Sequence, residues 1–422
     1  MKMEASQGLD SGLCRFTFIL LAKLRRLFWA GLIMEPLQQQ IRVSFSYPVH
    51  FTRHLFALHN PLLKDILGEG GPDFPKKLLV VIDRGVYRHH PDLIADLETY
   101  SRQSRDYCML ADAPLLLAGG EDVKNDPRAL THVHQAINGA GLCRHSYIMA
   151  VGGGAVIDLV GLAAATAHRG IRLIRVPTTV MAQADASIGV KNGINAFGKK
   201  NFIGTFAPPF AVINDCHFLT TLEPRDWISG VAEAVKVALI RDASFFAFLE
   251  EHAAALAERR LDLMQQTIYH CAELHLNHIA NYGDPFEFGT SRPLDFGHWA
   301  AHKLEQLSGF TLRHGEAVAV GLALDATYSC LAGMLTQSQW HRIVTLLEHL
   351  GLPAYAPELE EDDLLEGLTE FREHLGGRLT IMLLQAIGQG REVHAMDPAM
   401  VRDGVGLLRE RALGRHLEVR VR

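Results

Sequence analysis

The run KKLLVVID at 76–83 is apolar from Leu78 to Ile82 and ends in Asp83, with no polar residue breaking it. A strand buried on both faces of a parallel sheet reads this way. APLLLAGG (113–120), IRLIRVPTT (171–179) and FAVIND (210–215) repeat the pattern, and SYIMAVGGGAVIDLVGLAAATAHRG (146–170) reads as strand, glycine turn and helix. Strands alternating with helices predict an α/β domain with a parallel sheet covered on both faces. After LEPRDWISG (222–230) the texture changes to Ala- and Leu-rich segments with helical periodicity, which predicts an all-α second domain. The expected division is 36–225 for the α/β domain and 226–415 for the helical one.

Residues 1–35 stand apart. CRFTFILLAKLRRLFWAGLIM (14–34) is apolar and basic, but Lys23, Arg25 and Arg26 interrupt it before the roughly 20 residues that a membrane-spanning helix needs. No clean small-residue cleavage site follows. The segment is expected to be a disordered extension or a mis-assigned start, with Met34 as the other candidate initiator, and a membrane-surface amphipathic helix is the rival reading.

Composition narrows the classes. The 422 residues are too many for one typical core. A net charge of −6 provides no general attraction for nucleic acid or acidic membranes, so an anionic ligand needs a local cluster of cations. The six cysteines are scattered without a CxxC pair, which fits a reducing, cytoplasmic setting rather than a disulfide framework.

Four features point to a dinucleotide. VGGGAVIDLVG (151–161) sets glycines between a strand and a helix, where the backbone can approach a pyrophosphate at the helix N-terminus. Asp83 ends a strand where a carboxylate can hold ribose hydroxyls, and GGEDVKND (119–126) supplies Glu121 and Lys124. Thr178 and Thr179 close another strand in the same crevice. QADASIGVKNGINAFGKKNFIGTF (183–206) is neither clean helix nor clean strand, and its Ile188, Val190, Ile194, Phe197, Phe202, Ile203 and Phe206 are too apolar for a loop free in water. A packed loop presenting Lys191, Lys199 and Lys200 suits a phosphorylated substrate.

Histidines raise the question of a metal. If SGVAEAVKVALI (229–240) is helical, Glu233 and Lys236 share a face; if DFGHWAAH (295–302) is helical, so do His298 and His302. His314 follows in RHGEAVAVGL. A glutamate with two histidines makes an open catalytic zinc site, but spacing alone does not choose which two bind.

In order, GGEDVK, VGGGAVIDLVG, RGIRLIRVPTT, DASIGVKNGINAFGKKNFIGTF, GVAEAVK, DFGH and RHGEAVAVGL resemble the 3-dehydroquinate synthase superfamily of sugar-phosphate cyclases over about residues 78–390. The resemblance implies a Rossmann-like NAD-binding domain, a helical domain and an active site in the cleft. It implies Glu233, His298 and His314 as ligands of Zn2+ or Co2+, with His302 facing substrate. Asp185, Lys191, Asn201, Lys236, Asp295 and His302 are implied to line the substrate pocket, and Arg169 to reach the phosphate bound in a second subunit of a homodimer. Asp83, Glu121, Lys124, Gly153, Gly154, Asp158, Thr178, Thr179, Lys200, Thr221 and Leu222 match NAD-contacting positions. The implied chemistry is a lyase cycle with NAD as catalyst: oxidation, phosphate elimination, reduction, then intramolecular aldol closure of a carbocycle.

Departures bear on the substrate. Asp295 stands where dehydroquinate synthases have asparagine in NFGH, and Ser291 where their arginine grips a carboxylate, with Arg292 one residue away. A lysine has become Asn277 or His278, and a C-terminal Lys-Lys reads REH (372–374). Fewer cations and an added anion disfavour a carboxylated substrate and favour one like sedoheptulose 7-phosphate. Aspartate here is shared with sedoheptulose 7-phosphate cyclases, which usually lack the histidine that His302 supplies. The chain most resembles the dehydroquinate-synthase-like proteins of Ebo gene clusters. A true 3-dehydroquinate synthase, an iron-type alcohol or glycerol dehydrogenase, and a non-catalytic binder of NAD or sugar phosphate are the alternatives.

Overall fold

The apolar run at 76–83 is a strand packed on both sides, as its composition requires. In the computed structural model Leu78, Val80 and Ile82 join one apolar core with Leu97, Tyr100, Ile174 and Ile213, while Leu79 and Val81 join another with Val133, Ile137, Ile157 and Val160. Successive side chains point to opposite faces, so both parities must be apolar. Each such buried side chain contributes about 2 kcal/mol.

The structure describes residues 37–68, 76–281, 286, 293–374 and 377–414. Met1–Phe45 and Ser46–Arg422 are separate compact units. Within the first, 37–45 is exposed and without regular structure; the expectation for 1–35 lies outside the described residues. All that follows concerns the second unit.

Seven parallel strands form the main sheet: β1 (Val49–Thr52), β2 (Lys76–Asp83), β3 (Cys108–Leu110), β4 (Leu115–Leu117), β5 (Tyr147–Gly152), β6 (Arg172–Pro177) and, further along the chain, β9 (Ala211–Asp215). Their order is β1-β9-β6-β5-β2-β3, with β4 also on β2. All the pairings are parallel, so Asp83, Gly152, Pro177 and Asp215 end up along one edge. Helix α1 (Gly154–Thr166) starts there, two residues after β5.

From Pro224 the chain is mostly helical. Helices α2 (Val231–Arg241), α3 (Leu261–Asn281), α4 (His298–Leu307) and α5 (His314–Leu331) surround the largest apolar core. Ala317 through Leu331 of α5 are all buried, so α5 is apolar all round and lies inside the bundle. Among the described residues, no helix is long and apolar enough to cross a membrane.

Two segments differ from the sequence expectation. Residues 183–206 are not a packed loop: Ala182–Ala186 makes a π-helical turn, then β7 (Lys191–Ala196) and β8 (Lys199–Phe206) pair as an antiparallel hairpin. Ile188, Val190 and Ile194 are buried as expected, but Phe197, Phe202, Ile203 and Phe206 are exposed. The hairpin is tied down by Arg175 of β6, a fully buried cation. It donates to the carbonyls of Ser187 (2.9 Å), Gly189 (2.6 Å) and Lys191 (3.1 Å) and to Asn192 Oδ1 (2.8 Å). The helical half also carries a second hairpin, β10 (Ile381–Ala386) with β11 (Gln389–Val393). Its turn glycine, Gly388, is left-handed (φ 82°) and donates its amide to Leu239 O at 2.7 Å.

Candidate active site and metal centre

Gly297 sets the geometry of the metal-binding side. It precedes α4 in the left-handed region (φ 76°), and a Cβ there would lie 2.8 Å from Leu322 N of α5. Only glycine lets the start of α4 lie this close to α5. Asp325, fully buried in α5, accepts from Gly297 N (3.0 Å) and Trp299 Nε1 (2.8 Å), fastening the residues on either side of His298.

His298 Nδ1 lies 3.0 Å from Phe296 O, so that nitrogen donates and Nε2 keeps its lone pair. That Nε2 is 3.7 Å from Glu233 Oε1, and His314 Nε2, on the first residue of α5, is 3.5 Å from the same oxygen. Both separations are too long for hydrogen bonds. They match the edge of a tetrahedron whose centre lies about 2.0–2.1 Å from each ligand, roughly 3.3–3.4 Å, as at zinc. Glu233 is 1% exposed, and Oε1 has no hydrogen-bond partner among the described residues. A buried carboxylate oxygen without a partner is costly, and a divalent cation at this point satisfies it. Glu233, His298 and His314 therefore fit Zn2+ or Co2+.

Electrostatics around the cluster are set by α2. Lys236 pairs with Glu233 Oε2, one turn along the same helix. Burial pushes the Glu233 carboxyl up, but the Lys236 ammonium outweighs it and holds it well below the usual range. Burial pulls the Lys236 ammonium down, and Glu233 and Asp185 more than reverse that. Asp295, half-buried, adds to the field on Lys236. Asp185, in the π-turn after β6, is held at about 2 because Lys236 and His275 overcome the effect of burial. His302 lies one turn beyond His298, its ring 5.6 Å from that of His298 and 5.9 Å from that of His314, and it is exposed.

A second constellation lies on the sheet side. Gly153 is the N-cap of α1, and a Cβ on Gly154 would come 3.2 Å from Ala186, so backbone is bare at that helix start. Lys124 binds Asp158 of α1 (2.8 Å) and also Asn201 Oδ1. Asn195 joins them, donating to Glu121 (3.0 Å) and accepting from Asn201 N (2.8 Å). Thr178 Oγ1 is buried without a hydrogen-bond partner among the described residues, while Thr179 Oγ1 accepts from Ala182 N at 3.2 Å. Asp83 accepts from Gly85 N (2.7 Å) and borders a cleft of about 420 Å³ with Arg84, Arg88 and Gly119. Lys200 reaches the other side, to Glu305 of α4 (2.7 Å).

Thr221 Oγ1 lies 2.9 Å from His90 Nε2 on the wall of a different cavity, and Leu222 packs against the helical core. Arg169 is exposed with φ 63°, and Lys191 opens β7 with its side chain exposed. Ser291 and Arg292 lie outside the described residues.

Asn277 is exposed and bonds Asn281, and His278 lies by Arg241; the residue α3 turns inward is His275, whose Nδ1 meets Asp185 Oδ1 at 2.6 Å. The inward stripe Met264, Thr267, Ile268, Cys271, Ala272, His275 has helical spacing, so counting along it would have found His275. Arg175, Glu305 and Asp325 gave no comparable signal.

Comparisons with known proteins agree with this geometry. The 3-dehydroquinate synthase N-terminal family matches residues 114–229, and the 3-dehydroquinate synthase C-terminal family matches 230–372. A 3-dehydroquinate synthase of Pelobacter propionicus is 38% identical over 275 residues, 65% of this chain and 76% of that protein. One from Nitrosococcus oceani is 33% identical over 354 residues, 83% of this chain and 93% of its own length. Among solved structures, ValA (2-epi-5-epi-valiolone synthase) from Streptomyces hygroscopicus with NAD+ and Zn2+ bound superposes with a TM-score of 0.80 at 28% identity, covering 89% of this chain and all of its own. A probable glycerol dehydrogenase from Sinorhizobium meliloti has a TM-score of 0.55 at 16% identity, covering 87% of this chain and 98% of its own, which shows a shared fold alone. On these sequence matches, the chain belongs to the 3-dehydroquinate synthase superfamily.

Proposed function

We propose that this protein is an NAD- and metal-dependent sugar-phosphate cyclase acting on a phosphorylated seven-carbon ketose that lacks the carboxylate of the dehydroquinate precursor. The observation that carries the reading is Glu233 Oε1, buried and without a hydrogen bond between His298 and His314. NAD+ seen with Zn2+ in ValA supports the same pair of cofactors here. Bound Zn2+ or Co2+ supplies Lewis acidity at a ring hydroxyl, and NAD supplies a hydride acceptor that becomes the donor later in the cycle.

The chain's own residues do the rest. Lys236 is a fixed buried cation between Glu233 and Asp185, placed to hold substrate oxygens beside the metal ligands. His302, exposed and one turn from His298, is placed to take and return a proton. Asn201, Lys191 and Lys200 from the hairpin are assigned to the substrate and to the cofactor phosphates. Asp83, Glu121, Lys124, Gly153, Gly154, Asp158, Thr178, Thr179, Thr221 and Leu222 are assigned to NAD. Within this reading the cofactor half is 36–225 and the metal half 226–415, and Arg169 reaches the phosphate bound to a second copy in a homodimer. Its left-handed backbone beside His168 (φ 52°) is strain of the kind that collects at functional positions.

Asp295 directs the substrate choice. It adds negative charge beside Lys236, which repels a carboxylate and accepts a hydrogen bond from a hydroxymethyl group. The names of the 33–38% identical relatives favour a second reading, 3-dehydroquinate synthase itself. Phosphate release from sedoheptulose 7-phosphate and from the carboxylated precursor, measured in competition with NAD present, tests the choice. The proposal expects preference for the heptulose phosphate, reduced in Asp295→Asn. Efficient turnover of the carboxylated sugar alone would establish the second reading.

A further inference from the structure

Glu305 is a tightly held buried carboxylate that the catalytic scheme leaves unused. It lies on α4, 4% exposed, with its two oxygens committed to different parts of the molecule. Oε1 accepts from Lys200 Nζ of β8 at 2.7 Å, and Oε2 faces His314 Nδ1 at 3.2 Å.

The two histidines of the metal cluster are therefore anchored alike. Each gives its Nδ1 to an oxygen, Phe296 O for His298 and Glu305 for His314, and each turns Nε2 toward Glu233 Oε1. A carbonyl is fixed by its backbone; a carboxylate on a side chain needs something to fix it. Lys200 does so by holding the far oxygen, which also ties hairpin β7–β8 to α4. Glu305, His302 and His314 also lie close enough to suggest a separate metal group. Both Glu305 oxygens already have partners there, whereas Glu233 Oε1 has none, so Glu305 is better placed as a support than as a ligand.

We propose that Glu305 is a positioning residue for the metal centre, fixing the ring and tautomer of His314 so that Nε2 presents its lone pair beside Glu233 and His298. This rests on the metal site proposed above. A carboxylate behind a metal-bound imidazole typically changes metal affinity by about 10–100-fold.

The test is Zn2+ affinity of the metal-free full-length protein, read by competition with a coloured chelator, with the visible spectrum of the Co2+-loaded protein as a second readout. Glu305→Gln is expected to bind zinc about 10–100-fold more weakly and to shift the cobalt bands. Glu305→Asp, which keeps the charge one methylene short of His314, is expected to fall between wild type and the Gln variant, and decides the matter if the Gln variant folds poorly. Wild-type zinc affinity or an unchanged cobalt spectrum in these variants would overturn the proposal. Glu233→Gln separates the two levels. If it loses zinc while the Glu305 variants keep it, the positioning role alone fails; if it keeps zinc too, the metal site itself is misplaced and both fail.

Discussion

Asp185 Oδ1 lies 2.6 Å from His275 Nδ1, joining the turn after β6 to the middle of α3. The contact fixes a carboxylate that also feels Lys236 and Glu233. Without His275, Asp185 keeps its charge but loses the partner that aims it. His275→Ala is expected to lower kcat about 10–100-fold while zinc content stays at the wild-type level. Steady-state kinetics beside metal analysis check this, and full activity in the variant would remove Asp185–His275 from the working site.

The metal ligands predict a clean loss. His298→Ala and His314→Ala should each come off a desalting column with little zinc, against close to one ion per wild-type chain. Gly297→Ala should do the same without touching a ligand, because its Cβ would press on Leu322 N from a backbone that side chains rarely adopt. Retention of zinc in both histidine variants would contradict the site.

Much of this was legible in the chain, and the reasons are physical. The strands could be found because both faces are buried: β2 runs from Leu78 to Ile82 and β5 from Tyr147 to Val151 without a charged residue, β9 opens with Ala211–Ile213, and Arg175 alone interrupts Leu173–Val176 of β6. Glu233, Lys236, His298 and His302 could be grouped because helical spacing places i, i+3 and i, i+4 together. The hairpin at 191–206 was missed because β8 is exposed on both faces yet carries Phe202, Ile203 and Phe206, with Phe197 in the turn, which erases the usual alternation. Arg175 was missed because an arginine inside a strand reads as surface, and its carbonyl partners come from a segment 12–17 residues later. Asp325 and Glu305 act through residues distant in sequence, and no local pattern marks them.

Arg175 accordingly predicts a local failure. Replacing it with Met leaves three buried carbonyls and Asn192 without their donor, at a cost of about 3 kcal/mol or more. Amide exchange over residues 187–206 should accelerate more than exchange in β2 or β5. Uniform acceleration across the sheet would show that Arg175 does not act on the hairpin in particular.

Asp325 predicts a pH dependence of stability. Burial pushes its carboxyl up to about 7 against the pull of Trp299 and Gly297. The native state then binds more protons than the unfolded chain between about pH 4 and pH 7, so this group makes stability fall as pH rises through that window, by at most about 1 kcal/mol per pH unit. Asp325→Asn should flatten that slope in denaturant unfolding of the metal-free protein. An unchanged slope would place the titration elsewhere.

The central claim is that NAD works as a catalyst inside one closed cycle. The direct measurement is phosphate released per NAD added, with sedoheptulose 7-phosphate and the carboxylated precursor each supplied in excess and NADH absorbance followed in the same cuvette. The account predicts many phosphates per NAD with one of these substrates and no accumulation of NADH. NADH formed in step with product, or no phosphate released from either sugar, would contradict it.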